Sequence, residues 1–248
     1  MSVNYKMVLE YDGSRYVGWQ RLRTESQTIQ GKLEMVLSRY AGMPVEIHGS
    51  GRTDAGVHAK GQVANFYLED KRDPEEIRLY CNTYLPEDIR VLTVEEAPLR
   101  FHSRLNARSK TYVYRIEMGE KRSVFTRRYT YGLGKPLDLE RMKQAADYLI
   151  GTHDFKSFCG NKKMKKTTVR TLMKVEFQVS GSELAIRYTG NGFLQYMVRI
   201  MTGTLIEVGL GVRNPETMPA VLEACSREAA GFTAPPEGLC LEKVRYGS

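Results

Sequence analysis

What most restricts the fold of this chain is the order in which strand-like and helix-like segments follow one another. Tyr5 to Tyr11 alternates, carries aromatic and β-branched side chains and is closed by Asp12-Gly13, which predicts a strand. Thr28 caps a helix whose apolar stripe is Ile29, Leu33, Val36, Leu37 and Tyr40, ended by Gly42. Pro44 to His48 and Gln62 to Leu68 read as two further strands. Asp73-Pro74-Glu75-Glu76 is a strong helix start, with a capping acid, proline at the first helical position and glutamate three residues after the cap. That helix runs to about Tyr84, and Ile89 to Glu95 gives a fourth strand. The order is β-α-β-β-α-β, a ferredoxin-like unit.

The remainder repeats the pattern without repeating the sequence. Ser109 to Met118 alternates as a strand, and Asp138 opens a helix with Leu139, Met142, Ala146, Leu149 and Ile150 on one face. Val169 to Val179 and Leu184 to Tyr188 form a hairpin through Ser180-Gly181-Ser182. Phe193 to Val208 predicts a long apolar helix with stripe Leu194, Met197, Val198, Met201 and Leu205; Asn214-Pro215 starts a shorter one, and Leu239 to Tyr246 is the closing strand. The expectation is an α+β fold of two ferredoxin-like β-α-β-β-α-β halves, 1–102 and 103–248. They would join in one mixed, mainly antiparallel sheet with helices on one face and a central active-site cleft.

Between the second and third strands lies Gly49-Ser50-Gly51-Arg52-Thr53-Asp54-Ala55-Gly56-Val57-His58-Ala59, with three glycines in eight residues. Asp54 is the only carboxylate between Glu46 and Glu69, and its charged or chargeable neighbours are Arg52, His58 and Lys60. A lone aspartate on a glycine-shaped turn beside an arginine suits a positioned nucleophile or base. A plain Asx-turn has the same outline, so spacing leaves both open. Two phosphate-binding motifs are excluded. The third place of a Gly-x-Gly-x-x-Gly run beginning at Gly49 is Asp54, and no Gly-Lys-Ser/Thr occurs in the chain.

The net charge of +8 and pI near 9.2 favour a polyanionic partner, nucleic acid first. Arg100, Arg104, Arg108 and Lys110 form one basic cluster, Lys121-Arg122 with Arg127-Arg128 a second, and Lys162-Lys163-Met164-Lys165-Lys166 with Arg170 the densest. Any one of them suits a solvated loop; together they shift the balance towards phosphate contact. Cys81, Cys159, Cys225 and Cys240 are scattered, as are the four histidines, so neither a disulfide framework nor a protein-bound metal is expected. The Met1 end has no apolar signal region and no run approaches membrane-spanning length, so the expectation is a cytoplasmic protein without a membrane partner. Arg199 is an outlier inside an otherwise apolar helix, where an arginine either snorkels outward or pairs with a carboxylate.

Several motifs in order resemble the TruA-type tRNA pseudouridine synthases, over nearly the whole chain. Gly51-Arg52-Thr53-Asp54-Ala55-Gly56-Val57-His58-Ala59 is similar to the family's signature, and Tyr11-Asp12-Gly13 with Gly18-Trp19-Gln20 to its opening. Lys110-Thr111-Tyr112-Val113-Tyr114 resembles its central strand, Asn191 to Arg199 with Gly203-Thr204-Leu205 its late helix, and Gly238-Leu239-Cys240-Leu241 its closing strand. The Lys162–Lys166 loop is the main departure. The resemblance implies isomerisation of uridine to pseudouridine in tRNA, in the anticodon stem-loop at positions 38, 39 and 40, by a homodimer without cofactor. It makes Asp54 the nucleophile of a covalent intermediate, Tyr112 the base-contacting tyrosine and Arg199 the basic partner of the aspartate. Arg52 of the same loop would guide the flipped nucleotide, with His58 a further substrate contact. RNA contacts of the Lys162–Lys166 loop do not carry over from the family, and Lys162, Lys163, Lys165 and Lys166 are expected to touch RNA on their charge alone. A carboxylate can attack C1′ of the ribose or C6 of the base, and the uridine must leave its stack to be reached.

Two rival readings follow from the same residues. Tandem ferredoxin-like units with basic loops also describe a non-catalytic RNA-binding protein, although neither half carries the basic-Gly-aromatic pattern of that module. The same chemistry on another tRNA or ribosomal uridine is the second, since RNA choice lies in surface shape.

Overall fold

The computed structural model describes residues 2–24, 27–161 and 163–247. In chain order the strands and helices are β1 (Val3–Tyr11), α1 (Ile29–Ala41), β2 (Ile47–Gly49), β3 (His58–Leu68), α2 (Pro74–Tyr84), β4 (Ile89–Ala97) and β5 (Ala107–Glu117). They continue with β6 (Tyr131–Gly132), α3 (Leu139–Asp147), β7 (Gly151–Asp154), β8 (Val169–Ser180), β9 (Glu183–Gly190), α4 (Met197–Gly209), α5 (Met218–Glu223) and β10 (Leu239–Tyr246). The class is α+β: β1–β3, β1–β4, β2–β3, β5–β9, β7–β8 and β8–β9 pair antiparallel, and β5–β6 pair parallel.

The chain folds into two compact units, Met1–Arg108 with Leu241–Ser248, and Ser109–Cys240. The division falls after Arg108 rather than at 102/103, and the last strand from Leu241 onward belongs with the first unit. In that unit the strand order is β4-β1-β3-β10, with β2 beside β3. Alternation along β1 buries Tyr5, Met7 and Leu9, and Tyr5 stacks on its cross-strand partner Phe66 with centroids 5.6 Å apart. The stripe Ile29, Leu33 and Leu37 of α1 and Ile77 with Cys81 of α2 complete this core. Both helices start where their caps require. Thr28 Oγ1 accepts the Gly31 N–H, and Asp73 Oδ1 accepts the Glu75 N–H ahead of Pro74.

In the second unit the order is β5-β9-β8-β7, with β6 parallel to the end of β5. The β8–β9 hairpin turns through Gly181 as its pattern requires. Several boundaries differ from the sequence-based ones, each for a local reason. The second strand shrinks to Ile47–Gly49 because Pro44 has no N–H and the Val45 N–H is taken by Ser38 Oγ. The long apolar helix begins at Met197 rather than Phe193, because Tyr196 stands in the left-handed region at φ 61°. Asn214-Pro215 opens only a single 3₁₀ turn before the short α5. The helix from Leu139 stops at Asp147, leaving Leu149 buried and Ile150 exposed beyond it. β6 and β7 are too short to leave a period in the sequence.

Candidate functional site

Asp54 stands at the first position of a tight turn. The Val57 N–H donates to the Asp54 carbonyl at 3.1 Å, and Gly56, third in the turn, takes φ 76°, a conformation that favours glycine. The carboxylate is half-buried, while Arg52 is exposed. Thr53 between them is buried, its hydroxyl 2.8 Å from the Tyr11 hydroxyl at the end of β1.

What holds this loop is the segment 12–19, which wraps it from one side. The Trp19 N–H donates to Thr53 O at 3.0 Å, and the Gly56 N–H to Tyr16 O at 3.2 Å. Gly18 sits at φ 113° with a Cβ position only 2.8 Å from Thr53 O, so no side chain fits there. The buried Trp19 ring packs flat against Gly49, where a Cβ would lie 2.5 Å away. The segment is itself fastened to Asp88: Arg15 Nη2 donates to its carboxylate at 2.8 Å, the Tyr16 hydroxyl at 2.5 Å. On the other side the Ser50 N–H reaches Val63 O at 2.7 Å, and Gln62 binds both Ser50 Oγ and Gly51 O. Asp54 is therefore carried on a short stretch fixed at both ends.

His58 is buried, unlike the exposed contact residue its place in the motif suggests. Its Nδ1 lies 3.1 Å from both the Gly13 N–H and Asp12 Oδ1. The amide proton of Gly13 cannot leave its nitrogen, so Nδ1 is the acceptor of that bond and not a charged donor to Asp12. The ring thereby ties the start of β3 to the segment that wraps the loop.

In the second unit Tyr112 lies mid-way along β5, opposite Tyr188 of β9, and is 7% exposed. Phe193 meets its ring edge-on, with centroids 5.2 Å apart. Tyr188 and Thr202 hydroxyls are 2.9 Å apart, pinning β9 to α4, and the Tyr114 hydroxyl donates to Pro235 O at 2.7 Å. Arg199 occupies the first turn of α4 and neither hangs in solvent nor sinks into the core. Its Nε donates to Ala234 O at 2.7 Å, the Ala234 N–H returns a bond to Arg199 O at 3.1 Å, and its guanidinium lies 5.0 Å over the Tyr196 ring. Tyr196 itself stands in the left-handed region, at φ 61°. Gly160 makes room for it, since a Cβ there would fall 2.2 Å from the ring.

Lys163, Lys165 and Lys166 are exposed on a turn around Asn161, whose side chain accepts the Lys163 N–H at 3.0 Å. Lys162 lies outside the described residues. Sequence reasoning assigned no role to Tyr16, Gly18, Trp19, Asp88 or Tyr196. None of the five left a local signal of what it does, because their roles depend on contacts distant in sequence.

A family model described as tRNA pseudouridine synthase matches residues 7–106 and 145–247. The segment 107–144, with Tyr112 in it, falls between the matched stretches. The tRNA pseudouridine synthase A of Bacillus sp. (strain KSM-64) is 48% identical, covering 98% of this chain and 99% of that protein. The tRNA pseudouridine synthase A 2 of Bacillus cereus (strain ZK / E33L) is 45% identical, with the same coverage of 98% and 99%. The tRNA pseudouridine synthase A 1 of Clostridium tetani (strain Massachusetts / E88) is 44% identical, again over 98% and 99%.

Proposed function

The chain belongs to the tRNA pseudouridine synthase family, and from that premise we propose that it isomerises uridine in the anticodon stem-loop of tRNA, at positions 38, 39 and 40, with Asp54 as nucleophile. The observation that carries the reading is the Asp54 loop: a half-buried carboxylate on a turn whose two arms are hydrogen-bonded in place. A nucleophile that must meet one carbon of a flipped nucleotide needs that fixity, because catalysis through positioning tolerates little displacement. An Asx-turn serving only the fold would have no use for so much support.

The reaction breaks the N1–C1′ bond and forms a C5–C1′ bond; C5 gives up its hydrogen and N1 ends protonated, so atoms balance without oxidant or energy source. A carboxylate ester to C1′, or an adduct at C6, holds one fragment while the uracil turns. Tyr112 contacts the uracil and is suited to carrying a proton from C5. Arg199 is the basic partner of the carboxylate, and its guanidinium is restricted by Ala234 and Tyr196. Arg52, exposed on the same loop, guides the incoming nucleotide, and Lys163, Lys165 and Lys166 take backbone phosphates. The protein works in the cytoplasm as a homodimer. Among the described residues no helix is long and apolar enough to cross a membrane.

Mapping the modified positions in tRNA transcripts after treatment with the purified protein tests the assignment. Pseudouridine at 38, 39 or 40 is expected; pseudouridine confined to another arm would move the substrate, and none in any tRNA would remove the activity.

A further inference from the structure

The segment between β5 and β6 is built to hold an aromatic side chain out in solvent. Its neck is closed by three bonds: the Leu133 N–H to Glu117 O at 2.9 Å, the Gly119 N–H to Glu117 Oε1 at 2.8 Å, and Arg122 Nη1 to Thr130 O at 2.8 Å. Above the neck two turns follow one another. The Thr126 N–H reaches Ser123 O at 3.2 Å and the Tyr129 N–H reaches Thr126 O at 2.8 Å, while the Arg127 guanidinium donates to Val124 O. Phe125, the third residue of the first turn, is 89% exposed, the largest exposure among the large hydrophobic residues described. Burying a phenylalanine side chain is favourable. This fold leaves that gain unused, although its turns are ordered by their own hydrogen bonds.

The chemistry around the ring selects its partner. From residue 121 to 137 the sequence has Lys121, Arg122, Arg127, Arg128 and Lys135 and no acidic residue. A second copy docking here through the same surface would bring two such sets of cations together, which opposes the contact. A polyanion with flat apolar faces is attracted on both counts, and single-stranded nucleic acid has that composition. A phosphate alone would have no use for the ring. We propose that Phe125 is a stacking platform for an unpaired base of the RNA substrate, with Arg127 and Arg128 beside the adjoining backbone. The inference rests on the tRNA reading above and adds a contact outside the residues assigned to chemistry. From Tyr112 to Glu117 the chain advances five residues along β5, about 16 Å at the usual strand rise. Stacking is indifferent to base identity, so the contact would position the arm and leave sequence choice to other residues.

Affinity for an unmodified tRNA transcript across a salt series, together with tritium release from C5-labelled uridine, tests this. The proteins compared are the wild type, Phe125→Ala, Phe125→Trp and the double variant Arg127→Ala/Arg128→Ala. Phe125→Ala is expected to weaken binding roughly 5- to 150-fold, with the loss carried by KM, and Phe125→Trp to restore it. The slope of log K against log salt should be unchanged in Phe125→Ala. In the arginine variant it should fall by about 1 for each phosphate that is no longer neutralised. Wild-type affinity in Phe125→Ala would overturn the inference while leaving the tRNA activity intact. A wild-type dimer that Phe125→Ala splits in sedimentation would also overturn it, assigning the ring to a second copy. A wild type that neither binds tRNA nor releases tritium would instead bring down the functional reading, and the inference with it.

Discussion

Asp54 can be displaced without being touched. Gly18 lies at φ 113° with its Cβ direction aimed at the Thr53 carbonyl, one residue before the carboxylate. Gly18→Ala should therefore push the Thr53–Asp54 peptide outward. A misplacement of about 1 Å is enough to lower turnover on the order of 100-fold. Affinity for tRNA, assigned in the proposal largely to Phe125 and to cations on other loops, should change little, so a comparison of kcat with Kd separates this from general damage. Tyr196 offers the converse case. Its left-handed backbone is a local cost of roughly 1–2 kcal/mol, retained because the ring lies beneath Arg199. Tyr196→Gly is expected to leave thermal stability nearly unchanged, relief of strain offsetting the missing ring's packing, and yet to lower turnover. Tyr196→Phe keeps the ring and should retain activity; equal activity in all three would remove the guanidinium's support from the account. Neither role was legible in advance. Asp54 stood out because a carboxylate among glycines and basic residues is a local pattern, whereas what Gly18 and Tyr196 do is set by Thr53 and Gly160, far from each in sequence.

At the scale of elements, α1 carries more than an apolar stripe. Gln30 and Glu34 are buried on its inner side. Glu34 Oε1 accepts from Gln30 Nε2 at 2.8 Å and from the Ile47 N–H at 3.1 Å, and Arg21 Nη1 lies 2.8 Å from its other oxygen. Gln30 in turn accepts from Gln20 and from the Arg21 N–H, so one helix face organises both β2 and the segment that wraps the Asp54 loop. Glu34→Ala strands the Ile47 amide and one N–H of Gln30, whose Nε2 still donates to Ile47 O, at about 1–3 kcal/mol for each buried donor left unpaired. Denaturant unfolding should show that loss, with Glu34→Gln losing less; no change in midpoint would contradict the network. The ends of α1 and α2 were readable because caps and a Pro at the first position act within four residues. The start of α4 was not, because apolar periodicity continues through Phe193 and Leu194 while the backbone reverses at Tyr196.

At the scale of the whole molecule, burial sets the response to alkali. It raises the pKa of the Tyr114 and Tyr188 phenols and pushes the Cys81 thiol up to about 12 from an ordinary 9.0. The folded protein therefore keeps protons that the unfolded chain gives up above about pH 9 to 10. Their contribution to stability is present below that range and is lost as pH rises, for Cys81 between 9.0 and about 12. A spectrophotometric titration of the fifteen tyrosines should show a late class that ionises only as the fold is lost. A single early transition for all of them would contradict the burial of Tyr114 and Tyr188. The alternation of β1 and β5 and the capped helices made the α+β class legible, whereas the return of the closing strand to the first unit was invisible to a reading in chain order.

The claim on which the rest depends is that Asp54 performs the isomerisation. Tritium release from tRNA labelled at C5 of uridine, measured for the wild type and for Asp54→Ala, tests it most directly, because pseudouridine formation must displace that hydrogen. Release by the wild type and none by the variant, with tRNA still bound by both, is the predicted result. Equal release by both would keep the enzyme and take Asp54 out of its centre, and tight binding without release by either would describe an RNA-binding protein that carries no chemistry.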